Sequence, residues 1–225
     1  MSEIKVMASG AFKEAYLELA PAFERATGHK LANLWAPSVQ MKNRLTGGEV
    51  VDLVILSADA LDELVRAGIV AERFDLALSG IGVAVKAGAP KPDISSGDAV
   101  KRAVLAAKGI AYSTGPSGLY LAGLFQRWGI ADAIRARVTQ TQGVPSGGVV
   151  ARGEAEIAFQ QVSELLPVPG IDLVGPLPPD IQQITTFSAG LHARAQAPDA
   201  AHALVKFLKA PAAAPVIRKT GMEPA

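Results

Sequence analysis

Asp52-Leu53-Val54-Ile55-Leu56-Ser57-Ala58-Asp59 joins a continuous apolar run to a turn and a helix start. A short unbroken apolar run between polar residues is the pattern of a strand covered on both faces, as in a parallel sheet. Asp59 has the side chain of a helix N-cap, whose carboxylate accepts from free backbone N–H groups. Leu61, Leu64 and Val65 then recur at helical spacing, and Gly68 closes the helix. A buried strand feeding a helix is the repeating unit of an α/β sheet.

The same grammar extends towards both ends. Upstream, Ile4 to Met7 reads as a strand, and Phe12, Tyr16, Leu19, Ala20 and Phe23 as one face of a helix stopped by Gly28. Leu31 to Trp35 is a second strand, and Ser38 stands just before a short helix through Leu45. Downstream, a second section begins near Ile81 with the strand Gly82 to Val85. Helices over 98–107, 117–128 and 146–152 alternate with strands over 110–112, 138–141 and 157–159. Val168 to Val174 is another apolar run. Ile184 to Leu191 is an extended candidate that carries the chain back to the first section, and helices at 198–209 and 211–220 follow. The expectation is an α/β protein with two lobes, each a mostly parallel sheet flanked by helices. One lobe takes 1–80 plus 188–225, and the other 81–187.

Composition narrows the chemistry. The chain has 225 residues, 49% hydrophobic, enough for a substantial buried core. Its 22 Lys and Arg against 21 Asp and Glu leave no broad positive field, so nucleic acid is not an expected partner. Without cysteine there is no thiolate chemistry and no Cys-held metal. His29, His192 and His202 show no ligand spacing, so neither a metal site nor a cofactor is expected. No stretch of 18 apolar residues predicts membrane insertion. Met1 to Val6 run straight into a strand, which as written predicts a cytoplasmic protein. The expectation becomes periplasmic if a signal peptide has been removed ahead of this sequence.

Four loops share one design, in which a strand ends, small or hydroxyl residues follow and a helix begins. They are Ala8-Ser9-Gly10-Ala11, Ala36-Pro37-Ser38-Val39, Ser113-Thr114-Gly115-Pro116-Ser117-Gly118 and Gln142-Gly143-Val144-Pro145-Ser146-Gly147. Helix N-termini leave N–H groups unpaired at a partial positive charge. Small residues admit an anion to them, and hydroxyls add donors. Such loops gather at the carboxyl ends of the strands in open α/β sheets. Each loop taken alone reads first as an ordinary N-cap or turn, and the repetition of four raises the anion-binding reading.

Catalytic motifs are sparse. Gly-Pro-Ser-Gly around Ser117 differs from G-x-S-x-G, and the loop lacks the Lys of a P-loop. Asp59, Asp62 and Glu63 read as a cap and a solvated face. Glu154 and Glu156 read as exposed, and His192 as satisfied or exposed. Lys42 or Arg44 could pair with a ligand carboxylate.

The order of motifs resembles the molybdate-binding proteins of ABC transporters, in the type II periplasmic-binding-protein fold. The likeness runs through Ile4-Lys5-Val6-Met7-Ala8-Ser9-Gly10, Phe23-Glu24-Arg25-Ala26-Thr27-Gly28 and Asp52 to Asp59. It continues in Gly115-Pro116-Ser117-Gly118-Leu119-Tyr120, Phe207-Leu208-Lys209-Ala210-Pro211 and Gly221-Met222. The resemblance implies an oxyanion held between two lobes. Ser38 matches a ligand-binding serine, while Ser117 and Gly143 fall where the family uses backbone N–H groups. Ala11 falls where the family has a serine and Gln161, beside Gln160, where it has a tyrosine. Amides accept as well as donate hydrogen bonds. These departures favour a protonated or mixed organic ligand over bare molybdate.

The expected function is therefore a monomeric binding protein for a small anion, an organic carboxylate rather than molybdate. Gly10, Ala11, Ser117 and Gly143 would offer backbone N–H groups. Ser9, Ser38 and Ser146 would donate, and Gln160 or Gln161 would orient the ligand. An ABC permease is the expected partner if the protein is exported. The alternative is an isomerase of small unsaturated carboxylic acids, as in the aconitate-isomerase-like branch of the same resemblance. It would need a general base, and the sequence singles out none.

Overall fold

The computed structural model describes residues 2–225. The chain opens with β1 (Glu3–Ala8), α1 (Lys13–Thr27), β2 (Lys30–Trp35), α2 (Ser38–Thr46), β3 (Leu53–Ser57), α3 (Ala58–Arg66) and β4 (Val70–Ser79). The middle segment contains β5 (Ile81–Lys86), α4 (Gly97–Ala106), β6 (Ile110–Ser113), α5 (Pro116–Arg127) and α6 (Ala131–Ile134). It continues with β7 (Val138–Thr141), α7 (Gly147–Ala151), β8 (Ile157–Gln161), α8 (Val162–Leu165) and β9 (Ile171–Pro176). The return segment is β10 (Thr185–His192), α9 (Pro198–Leu208), α10 (Ala214–Lys219) and β11 (Glu223–Pro224). The contacts divide the chain into two units. One holds the residues up to Ser79 with Thr185–Ala225, and the other Gly80–Ile184.

The first unit is built on a six-stranded sheet ordered β11-β4-β10-β3-β1-β2. β2, β1 and β3 run parallel, whereas β10 lies antiparallel between β3 and β4. The apolar run of β3 is explained by its position inside this sheet. Leu53 and Ile55 enter a core with Phe12, Tyr16, Phe23 and Leu204. Val54 and Leu56 face the other way, into a core with Met41, Leu61 and Leu64. Both faces are apolar because both are covered.

Local details differ from the sequence expectation for physical reasons. Ser57, not Asp59, takes the N-cap position of α3, and Asp59 sits in the first turn without capping. There its charge still complements the helix dipole. β4 was not expected as a strand. Glu72, Arg73 and Asp75 break its apolar alternation, and its pairing with β10 slips register between Phe187 and Ser188. The strand expected from Val168 starts instead at Ile171, because the Val168 N–H closes a turn on the Leu165 carbonyl (3.0 Å).

Asp52, just before β3, is buried and ties distant segments together. Its carboxylate accepts from the backbone N–H of Lys5 (2.8 Å), Gln196 (2.7 Å) and Ala197 (2.9 Å). The last two are donors at the entry to α9, so one side chain anchors the return segment to β1.

The second unit has a five-stranded sheet ordered β7-β6-β8-β5-β9. β7, β6 and β8 are mutually parallel, and β5 runs antiparallel to both its neighbours, β8 and β9. Both sheets are thus mixed, with a parallel triple on one side. One face of the second sheet packs Tyr112, Phe125 and Phe159, and the other Ala111, Val150 and Ala158. Among the described residues no single helix is long and apolar enough to cross a membrane.

Candidate functional site

Strands that run parallel end at the same sheet edge, so each unit has one edge where a strand feeds a helix. In the first unit Ser9 follows β1. Its side chain is buried at 6% exposure and its Oγ has no hydrogen-bond partner. Its N–H is used, donating to the Ile55 carbonyl at 3.0 Å. Gly10 is exposed and Ala11 buried in the 3-10 turn that leads into α1. Ser38 is half-buried and forms the first residue of α2 rather than preceding it, since Pro37 occupies the cap.

The second unit's edge is richer. Ser117 lies in the first turn of α5 at 1% exposure, and its Oγ has no partner. Gly118 allows this close seating: a Cβ there would lie 1.5 Å from the Ser113 carbonyl oxygen. The requirement is one of space, since α5 begins almost on the backbone of β6. Thr141 closes β7, buried, with Oγ1 unpartnered. Its carbonyl accepts from the Thr114 N–H (3.0 Å), which joins the two neighbouring loops. Ser163, in α8, also buries an unpartnered hydroxyl.

Buried polar atoms are ordinarily satisfied, and each exception needs a reason. Among the described residues the buried unpartnered side-chain atoms are those of Ser9, Ser117, Thr141, Ser163 and His192. The four hydroxyls stand at the carboxyl edge of the parallel strands β1, β6, β7 and β8. That is where ligands meet open α/β sheets. His192 ends antiparallel β10, so it sits at the other edge. Its ring is buried, and its pKa is lowered first by burial and then by Arg194. Of the two expected states, exposed or satisfied, it is buried and half satisfied: Nδ1 accepts from the Arg194 N–H at 3.0 Å and Nε2 has no partner.

The remaining expected residues divide in two. Gly143 is exposed with φ 74°, in the left-handed region that favours glycine, and shapes the loop after β7. Ser146, Gln160 and Gln161 are all buried. The Ser146 N–H donates to Gln160 Oε1 at 2.6 Å. Its hydroxyl lies 2.9 Å from the same oxygen and 3.0 Å from the Phe159 carbonyl. The polar groups of Ser146 are therefore committed to holding Gln160. With Oε1 so occupied, the Gln160 amide nitrogen is left to bond the Glu164 carboxyl in the first turn of α8. Burial pushes the pKa of Glu164 up to about 7, and the Gln160 hydrogen bond only partly opposes it.

The surface cations are engaged elsewhere. Lys42 pairs with Glu63, and Arg44 Nη2 reaches Glu49 at 2.6 Å. Lys13 stacks over the Trp35 ring. Thr141, Ser163 and Glu164 were not among the expected site residues. One signal for them was positional: each lies within three residues of the end of a strand whose parallel neighbours were recognised.

Comparison with known proteins fits this architecture. The chain is 42% identical to a Pseudomonas protein named aconitate isomerase, over 100% of this chain and 88% of that one. The periplasmic molybdate-binding protein of Azotobacter vinelandii superposes with TM-score 0.81 at 19% identity, covering 97% of this chain and 98% of that one. The sulfate-binding protein of Mycobacterium tuberculosis gives 0.77 at 18% identity, covering 100% and 88%. The chain has the type II periplasmic-binding fold that the motif order implied. The family model described as bacterial extracellular solute-binding protein matches residues 4–223, and this chain belongs to that family.

Proposed function

We propose that this protein binds a small unsaturated polycarboxylate and isomerises its double bond, with aconitate the first substrate to test. The observation that carries the reading is the 42% identity, over the whole chain, to the protein named aconitate isomerase. Two features of the site support it. Buried unpartnered hydroxyls of Ser9, Ser117 and Thr141 await acceptor oxygens. The buried Gln160 amide at the end of β8 is fixed by Ser146 and bonds the Glu164 carboxyl, which supplies an ionisable group at the same edge. In the first unit Ser38 and the backbone around Gly10 and Ala11 would add further donors, and in the second the backbone around Gly143 would do so.

The chemistry asks little beyond proton movement. A proton leaves the methylene carbon beside one carboxylate, and its electron pair forms a new double bond there. The original π pair passes to the far carbon, which takes a proton back. Atoms and charge are unchanged overall. The intermediate spreads its charge over carboxylate oxygens, so preorganised hydroxyl and N–H donors stabilise it.

A second reading is favoured by the molybdate- and sulfate-binding neighbours: a solute receptor serving an ABC permease outside the cytoplasm. One experiment separates them. The protein is mixed with cis-aconitate and trans-aconitate, and interconversion is followed by proton NMR. Thermal shifts are recorded in parallel with both acids, citrate, molybdate and sulfate. Turnover supports the isomerase. Stabilisation by molybdate or sulfate without turnover or carboxylate binding overturns it in favour of an inorganic-anion receptor.

A further inference from the structure

We propose that Glu164 is the residue that takes up and returns the substrate proton, held in position by Gln160 and Ser146. The assignment rests on the isomerase reading above and supplies the base that the sequence did not single out. It begins with placement. Glu164 lies in the first turn after β8, at the carboxyl edge where β6, β7 and β8 end together. Unpartnered hydroxyls of Ser117, Thr141 and Ser163 come from the same three strand ends. A base is useful only beside groups that hold the substrate.

Orientation comes next. Ser146 saturates Gln160 Oε1 with its N–H at 2.6 Å and approaches it with Oγ at 2.9 Å. The Gln160 amide therefore presents its nitrogen to Glu164. Gln160 and Ser146 are positioning residues: Ser146 fixes the Gln160 amide, and that amide holds the Glu164 carboxyl. No charged group contributes to the ionisation of Glu164. Lys86, at the far end of β5, lies at the opposite sheet edge, as does Asp172 at the start of β9. Arg152 and Glu154 pair with each other ahead of β8. Burial, with no cation to oppose it, pushes the carboxyl up to about 7, so it can both accept and return a proton near neutral pH.

The step balances. The substrate C–H bond breaks as an O–H bond forms on Glu164. The electron pair moves through the allylic system, and the same proton is then delivered to the far carbon, restoring the carboxylate.

Glu164→Gln and Glu164→Asp in the full-length protein test the assignment, with cis- and trans-aconitate as probes. The Gln variant keeps an amide partner for Gln160. It is expected to fold, to retain thermal stabilisation by trans-aconitate, and to lose kcat by about 100-fold or more. The Asp variant retains a carboxyl and is expected to keep an ionisation near neutrality in its pH–kcat profile, at reduced rate. It also serves as the test if the Gln variant does not fold: an Asp variant with unaltered kcat and profile overturns the assignment. A Gln variant within about threefold of wild-type kcat, with the wild-type pH profile, overturns it too. Wild-type protein that binds the acids without converting them sinks the isomerase reading itself, and the assignment falls with it.

Discussion

The two ligand edges of this molecule are built on the same plan and furnished differently. In the first unit, β1 ends at Ser9, whose one unpartnered hydroxyl is followed by Gly10 and Ala11. The cations nearby in sequence, Lys42 and Arg44, are paired with Glu63 and Glu49. In the second unit, three unpartnered hydroxyls share the strand edge with a relay from buried Ser146 and Gln160 to half-buried Glu164. On the proposed function, the first edge offers hydrogen-bond donors alone, while the second adds a carboxyl able to exchange a proton, and the difference is a handful of side chains at strand ends.

The largest way to break the comparison is Gly118→Ala. A Cβ placed 1.5 Å from the Ser113 carbonyl must push the start of α5 away from β6. We expect a stability loss of about 3 kcal/mol by denaturant titration and loss of ligand-induced stabilisation. An alanine tolerated with an unchanged midpoint would show that α5 is not seated as described.

Next come the hydroxyls. Ser9→Ala, Ser117→Ala and Thr141→Val remove groups that have no partner in the folded protein. Each should leave unliganded stability unchanged or raised, while weakening aconitate binding about tenfold per lost bond. Ser146→Ala should behave oppositely, costing about 1 kcal/mol of stability through its contacts with Gln160 and Phe159. Calorimetric titration beside thermal unfolding distinguishes the two patterns.

A smaller effect follows from Glu164. Its pKa is raised from the ordinary carboxylate value to about 7. Between those values the folded protein binds more protons than the unfolded chain, so stability falls as pH rises through that window. Glu164→Gln should flatten this slope in urea titrations from pH 4.5 to 7.5. His192 gives the least, with the opposite sign. Its pKa is depressed by burial, so its contribution is complete above the ordinary histidine value and declines as pH falls below it. His192→Gln should remove that decline.

Much of the fold was readable because burial on both faces of a parallel strand leaves an unmistakable apolar run, as in Leu53 to Leu56. The helices α1 and α3 carried clear apolar stripes. β4 escaped because Glu72, Arg73 and Asp75 interrupt its alternation, Arg73 reaching Asp62 of α3 and Asp75 of its own strand. The site was legible where chain chemistry is local: Ser9 and Ser117 stand in loops of small residues. Glu164 was not, because what marks it is a neighbour four positions back across a strand-to-helix turn. No period connects a strand residue to a helical one. Ser146 was read as a donor to ligand, whereas tertiary contact commits it to Gln160, a partner fourteen residues away.

The position of β10 has a consequence for how the protein is made. This strand sits between β3 and β4 in the first sheet, yet it follows the entire second unit in the chain. On the ribosome the first unit's opening segment emerges with a vacancy in the middle of its sheet. The second unit, one unbroken segment with its own cores, can complete itself first. Only when β10 is inserted, and Asp52 receives the N–H groups of Gln196 and Ala197, does the sheet of the first unit close. The opening segment is synthesised before the second unit and is finished after it.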